Sequence, residues 1–197
     1  MPNLPRSLKA FRDHQPGLES SGTVFGGHAM GDGGARAWDE AAFIEVQARA
    51  ASSNLDRTTL LATDYLNHFN EVVMLIEMIP DMPEILDDAK AWRPKSYADH
   101  FRDSSIADRD IAIEAYAHVP PQYRDPFETT VRQLDSLVTT SIARLEADLA
   151  ENPPELLREN ATALSQVIQR LMEVASGIIH GSEKTMDQNE IDQVIGA

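Results

Sequence analysis

Two histidines sit in a repeated local pattern. Tyr65-x-x-His68-Phe69-x-Glu71 recurs as Tyr97-x-x-His100-Phe101-x-Asp103. On a helix, a histidine and a carboxylate three residues apart share a face, and Asp64 adds a third group four residues before His68. Two such helices brought together would offer His68, Glu71, His100 and Asp103 to one divalent metal, as carboxylate-bridged di-iron bundles do. Those bundles use Glu-x-x-His, and no histidine here has a glutamate three residues before it. Glu114 and His118, four apart, are further candidate ligands. The competing structural expectation makes Tyr65, Phe69, Tyr97 and Phe101 core aromatics. The histidines then lie at a half-buried boundary, hydrogen-bonded to neighbouring carboxylates, and no cofactor is needed.

The second chemical feature is at the C-terminus. After Gly181 and the polar stretch Ser182 to Thr185, residues 186–195 form a compact amphipathic segment. Met186, Ile191, Val194 and Ile195 share one face of a short helix in an acidic peptide, which suits a docking role. A terminal helix folded back on the body would show the same stripe. The segment resembles the receiver-binding peptide of the flagellar switch protein FliM family. Gln188, Glu190, Ile191 and Asp192 match in register, Met186, Val194 and Ile195 fall on apolar positions, and Asn189 and Gln193 depart. A related acidic peptide ends members of the chemotaxis phosphatase family CheZ, where it tethers the enzyme to a CheY-type response regulator.

The preceding helix is similar to the same family. Leu164-Ser165-Gln166-Val167-Ile168-Gln169-Arg170-Leu171-Met172 places Gln166 on the family's catalytic glutamine. That resemblance implies a glutamine that orients water for attack on the receiver's phospho-aspartate, a positioning chemistry needing few side chains. The family's aspartate, one turn earlier, is replaced by Thr162, and the nearest acid is Glu159, seven residues before Gln166. The expectation is a signalling accessory protein with a CheY-like receiver domain as partner, working as a homodimer through paired hairpins. A metal-binding bundle and a structural adaptor with neither site are the alternatives.

The elements that must position these groups are helical. Residues 1–36 contain Gly17, Gly22, Gly26, Gly27, Gly31, Gly33 and Gly34 and few apolar side chains, which predicts a flexible tail. Residues 37–181 carry the bundle domain, and 182–197 the linker and docking-like helix. A short helix is expected from Trp38 to about Ser52. A second, capped by Asn54 or Asp56, carries Leu61, Tyr65, Phe69, Val72, Ile76 and Ile79 up to Pro80. Shorter helices follow over Pro83–Trp92, from Ser96 through Phe101, and from Asp108 to about His118.

The strongest periodicity comes last. Phe127, Val131, Leu134, Val138, Ile142, Leu145 and Leu149 repeat at near-heptad spacing, and Asn152, Pro153 and Pro154 then break the chain. Leu157, Ala161, Leu164, Ile168, Leu171, Ala175 and Ile178 resume the pattern to Gly181. Two long amphipathic helices joined this tightly must lie antiparallel. No strand pattern survives, so the fold class is all-α: a helical bundle built on a long antiparallel hairpin.

Composition narrows function. The 197 residues carry a net charge of −15, which disfavours nucleic acid and anionic membrane as partners. The chain has no cysteine, which excludes disulfides, thiolate catalysis and zinc–cysteine sites. No run reaches the roughly 18 apolar residues of a membrane span, and no signal-peptide pattern opens the chain, so a cytoplasmic location is expected. The glycine cluster at Gly26 to Gly34 lacks a P-loop lysine, there is no Gly-x-Ser-x-Gly elbow, and Asp135, Ser136 and Ser141 have no neighbouring histidine.

Overall fold

A computed structural model describes residues 38–182. The expected tail over 1–36 lies outside the described residues, as does the docking segment with Met186, Gln188, Glu190, Ile191, Asp192, Val194 and Ile195. Seven α-helices make up the described chain, with no strand among them: α1 Glu40–Arg49, α2 Asn67–Met78, α3 Leu86–Ala91, α4 Tyr97–Asp103, α5 Arg109–Tyr116, α6 Pro121–Glu151 and α7 Pro154–Ile179. The all-α bundle and its long hairpin are as expected. No described helix is long and apolar enough to cross a membrane.

Each helix begins where local chemistry allows. Asp39 caps α1, its Oδ1 accepting from the Ala41 and Ala42 amides at 3.0 and 3.2 Å. Ser96 does the same for α4, accepting from the Asp99 amide at 3.1 Å. Pro121 and Pro154 open α6 and α7, where a missing N–H costs no hydrogen bond. At the other end of α7, the Gly181 amide donates to the Ile178 carbonyl and the Ser182 amide to that of Gly177, both at 2.9 Å. This is a Schellman stop, and Gly181 takes the positive φ of 90° that it requires.

The hairpin forms the floor of one hydrophobic core. Phe127, Leu134, Val138 and Leu145 of α6 face Leu157, Ala161, Ile168, Leu171, Ala175 and Ile178 of α7, all buried. α2 lies on α7 and α3 on α6, bringing Phe69, Val72 and Ile76 into the same core. Truncating a fully buried aromatic such as Phe69 or Phe127 to alanine would cost about 3–5 kcal/mol. The exposed large apolar side chains among the described residues are Trp38, Ile44, Met74 and Met82, none of them on the hairpin.

One expectation needs correction. The second helix was expected to start from Asn54 or Asp56, but residues 53–62 form a loop that buries Leu55 and the stretch Thr59 to Ala62, followed by a 3-10 turn at Thr63–Leu66 and only then α2. Leu60 holds a positive φ of 62° and breaks any helix there. Asp56 instead caps the loop's own turn, Oδ1 accepting from the Thr58 and Thr59 amides at 2.8 and 3.1 Å. Thr59, fully buried, donates its hydroxyl to the Ile179 carbonyl at 2.6 Å, so the loop closes the end of α7.

At the closed end of the hairpin Leu149 packs half-buried against the core, as expected, and beside it Asp148 is 2% exposed. The Asp148 carboxylate accepts from Arg144 Nε at 2.9 Å, Asn152 Nδ2 at 2.8 Å and Asn160 Nδ2 at 2.7 Å. One carboxylate thus ties both helices and the turn between them.

Candidate functional site

The two repeated patterns meet. Tyr65, His68 and Phe69 come from the 3-10 turn and the start of α2, and Tyr97, His100 and Phe101 from α4. Tyr65 lies 5.3 Å from Tyr97 and edge-on to His100 at 5.5 Å. The ring centroids of His68 and His100 are 6.1 Å apart. Trp92 stacks on His68 at 4.8 Å, and its indole N–H donates to the His68 carbonyl at 3.2 Å, which fixes the stack.

Hydroxyls tie the cluster to the backbone. Tyr97 Oη accepts from the Ala62 amide at 2.9 Å, and Tyr65 Oη donates to the Lys95 carbonyl at 2.8 Å. Burial pushes both phenols up, so they stay neutral donors and acceptors at physiological pH. Tyr97 also stacks on Tyr116 of α5 at 4.6 Å, which anchors α4.

The imidazoles are neutral at pH 7. Burial lowers His68 to about 4, with His100 and Lys95 adding to the effect and a hydrogen bond to the Arg93 backbone opposing it. His100 is also lowered, first by burial; a hydrogen bond to the Asp64 backbone and the charges of Glu71 and Asp64 oppose, and Lys95 assists. His68 is 5% exposed, and the Nε2 atoms of both rings are buried with no hydrogen-bond partner among the described residues.

The carboxylates of the predicted ligand set do not join the histidines. Glu71 is exposed, and Asp103 pairs with Lys95 Nζ at 2.9 Å. Glu114 pairs with Arg49, and the His118 carbonyl accepts from Trp38 Nε1 at 3.0 Å. Among the described residues no group of three or more histidine, aspartate or glutamate side chains is placed to hold a metal. The histidines were expected to bond neighbouring carboxylates, but no carboxylate reaches the Nε2 atom of either ring among the described residues.

Gln166 is exposed on α7, as are Thr162 and Glu159 one and two turns earlier. On the next turn Gln169 donates to Glu77 Oε1 of α2 at 3.0 Å, so this face of α7 borders the α2 packing. Beside it an open groove between α2 and α7 is lined by polar Asp64, Asn67, Asn70 and Gln169 and by apolar Leu66 and Met172.

Sequence reading missed two members of this region. Trp92 ends its short helix as expected, and its stacking on His68 is what the sequence did not show. Asp135 of α6, whose Oδ1 is buried without a partner, is pushed up to about 6 by burial. Its charge also acts on Tyr65. Nothing in its spacing marks it, because its neighbours on α6 are ordinary hairpin residues. No family model, no characterised protein and no solved structure matches the chain.

Proposed function

We propose that the chain is a signalling accessory protein that docks on a CheY-like receiver domain through residues 186–195. The observation that carries this reading is the peptide itself: Gln188, Glu190, Ile191 and Asp192 in register with a receiver-binding motif, and apolar Met186, Val194 and Ile195 on its contact positions. The stop at Gly181 and Ser182 supports it, because the helical body ends only a few residues before the motif begins. In such a complex the apolar side chains are the anchors, and Glu190 and Asp192 meet basic groups on the receiver.

Gln166 is the catalytic candidate within this reading, since its side chain is free to approach a docked partner. Thr162, where the resemblance calls for an aspartate, makes docking the primary activity and dephosphorylation the secondary one. The test is titration of the full-length protein against receiver domains with and without a beryllofluoride phosphoryl mimic. Saturable binding that Ile191→Ala weakens at least tenfold supports docking, and failure to bind any receiver in either state refutes it. Phosphate release by wild type and Gln166→Ala then separates a phosphatase from a binder.

A further inference from the structure

We propose that His68 and His100 form a two-imidazole site for a soft monovalent cation, Cu(I), inside the aromatic cluster of α2 and α4. The reading is independent of receiver docking. It starts from the two buried Nε2 atoms, both without a hydrogen-bond partner among the described residues. The backbone at Arg93 faces the His68 ring and that at Asp64 faces the His100 ring, each favouring a proton on the ring nitrogen turned toward it. In the proposed site Nδ1 carries the proton of each ring and the lone pair lies on Nε2, which is how protein imidazoles are oriented toward metals. Two buried imidazole nitrogens without a partner, on neighbouring rings, are what a shared cation would satisfy.

The spacing favours two-coordinate binding. With metal–imidazole bonds of about 2.0 Å, rings that ligate one ion from nearly opposite sides have centroids roughly 6 Å apart. The observed separation is 6.1 Å, with the ring planes inclined by 57°. Zinc takes four ligands in structural sites, and no third acidic or histidine ligand is in place among the described residues. A d10 monovalent ion has no ligand-field demand for more, and imidazole is an accepted copper ligand.

The surroundings suit a single positive charge. Trp92 stacked on His68, with Phe69 at 6.0 Å from Trp92 and Tyr65 edge-on to His100, excludes the water that a hard cation would keep. Aromatic faces and the nearby carboxylates of Asp64 and Glu71 offset the charge. Lys95, whose charge acts on both rings, is drawn to Asp103. Asp103, a predicted ligand, thus serves by neutralising Lys95.

The experiment is an anaerobic titration of the full-length protein with Cu(I) against bathocuproine. It is repeated with Ag(I), a redox-inert probe, while the histidine 15N resonances are followed. One equivalent per chain is expected, with both Nε2 signals of His68 and His100 shifting together on Ag(I) and at least a hundredfold loss of Cu(I) affinity in His100→Phe. Nε2 signals that do not move in the folded wild type overturn the proposal, whatever the variants do. So does undiminished binding in a folded His68→Phe/His100→Phe protein, which would assign the metal to methionines. Equally tight Zn(II) binding at these nitrogens would overturn the two-coordinate, monovalent assignment.

Discussion

Replacing Asp148 by alanine is expected to loosen the hairpin at its closed end. The carboxylate is 2% exposed and accepts three hydrogen bonds, from Arg144, Asn152 and Asn160. Hydrogen bonds to a charged group contribute about 1.5–3 kcal/mol each, but the losses do not add in full. Arg144 is one-third exposed and regains water once its partner is gone, so its share is small. The two amides are only half-buried and recover part of theirs. The net expectation is a loss of about 2–4 kcal/mol, a fall of roughly 6–12 °C in Tm for a body of this size. Urea denaturation followed by far-UV circular dichroism measures it. A double-mutant cycle with Arg144→Ala separates the ion pair from the amide clamp, and the coupling to Arg144 should be the smaller part. An Asp148→Ala protein within about 0.5 kcal/mol of wild type would refute the clamp and reduce Asp148 to an ordinary surface acid.

Other consequences are accessible to similar measurements. Asp135 has a folded-state pKa of about 6, above its ordinary 3.8, so its contribution to stability is fully present below about pH 4 and is lost as pH rises through 6. Asp135→Asn should therefore be more stable than wild type at pH 8, by about 1–3 kcal/mol, and show no such gain at pH 4. Gly181→Ala should cost about 1–2 kcal/mol through its positive φ alone, because an added Cβ meets Thr58 Cγ2 at an ordinary 3.7 Å. Hydrogen exchange at the last amides of α7 should rise in the same variant.

The hairpin was legible because its apolar residues follow a long uninterrupted period, and the Asn152-Pro153-Pro154 break leaves only an antiparallel return. Periodicity failed at residues 54–62 for a physical reason. Leu60, Leu61 and Ala62 are apolar because the loop lies buried against the end of α7, and their spacing only imitates the helix that follows. Beside Leu149 the pattern gave no sign of Asp148, a carboxylate that takes a core position because three donors converge on it. The histidines were found through their repeat, and the repeat does bring them together. Their carboxylates were misplaced because a three-residue step is a 60° turn about the axis, enough to put His68 inside and Glu71 in solvent. The roles of Trp92 and Asp135 depend on partners distant in the chain, His68 for the one and Tyr65 for the other.

The position of the hairpin in the chain also bears on how the protein is made. Tyr65 and Tyr97 rest against Phe127 of α6, at 5.7 and 6.0 Å, and α2 is laid along α7. The earlier helices therefore emerge from the ribosome before either surface they pack on exists. At about 5–20 residues per second, synthesis of α6 and α7 takes roughly 3–12 s. Through that interval the aromatic cluster has no floor, and α1 to α5 are open to chaperones and to proteases. Folding of the body is thus a late event set by the last helices, and a stalled or truncated chain would be recognised as unfolded.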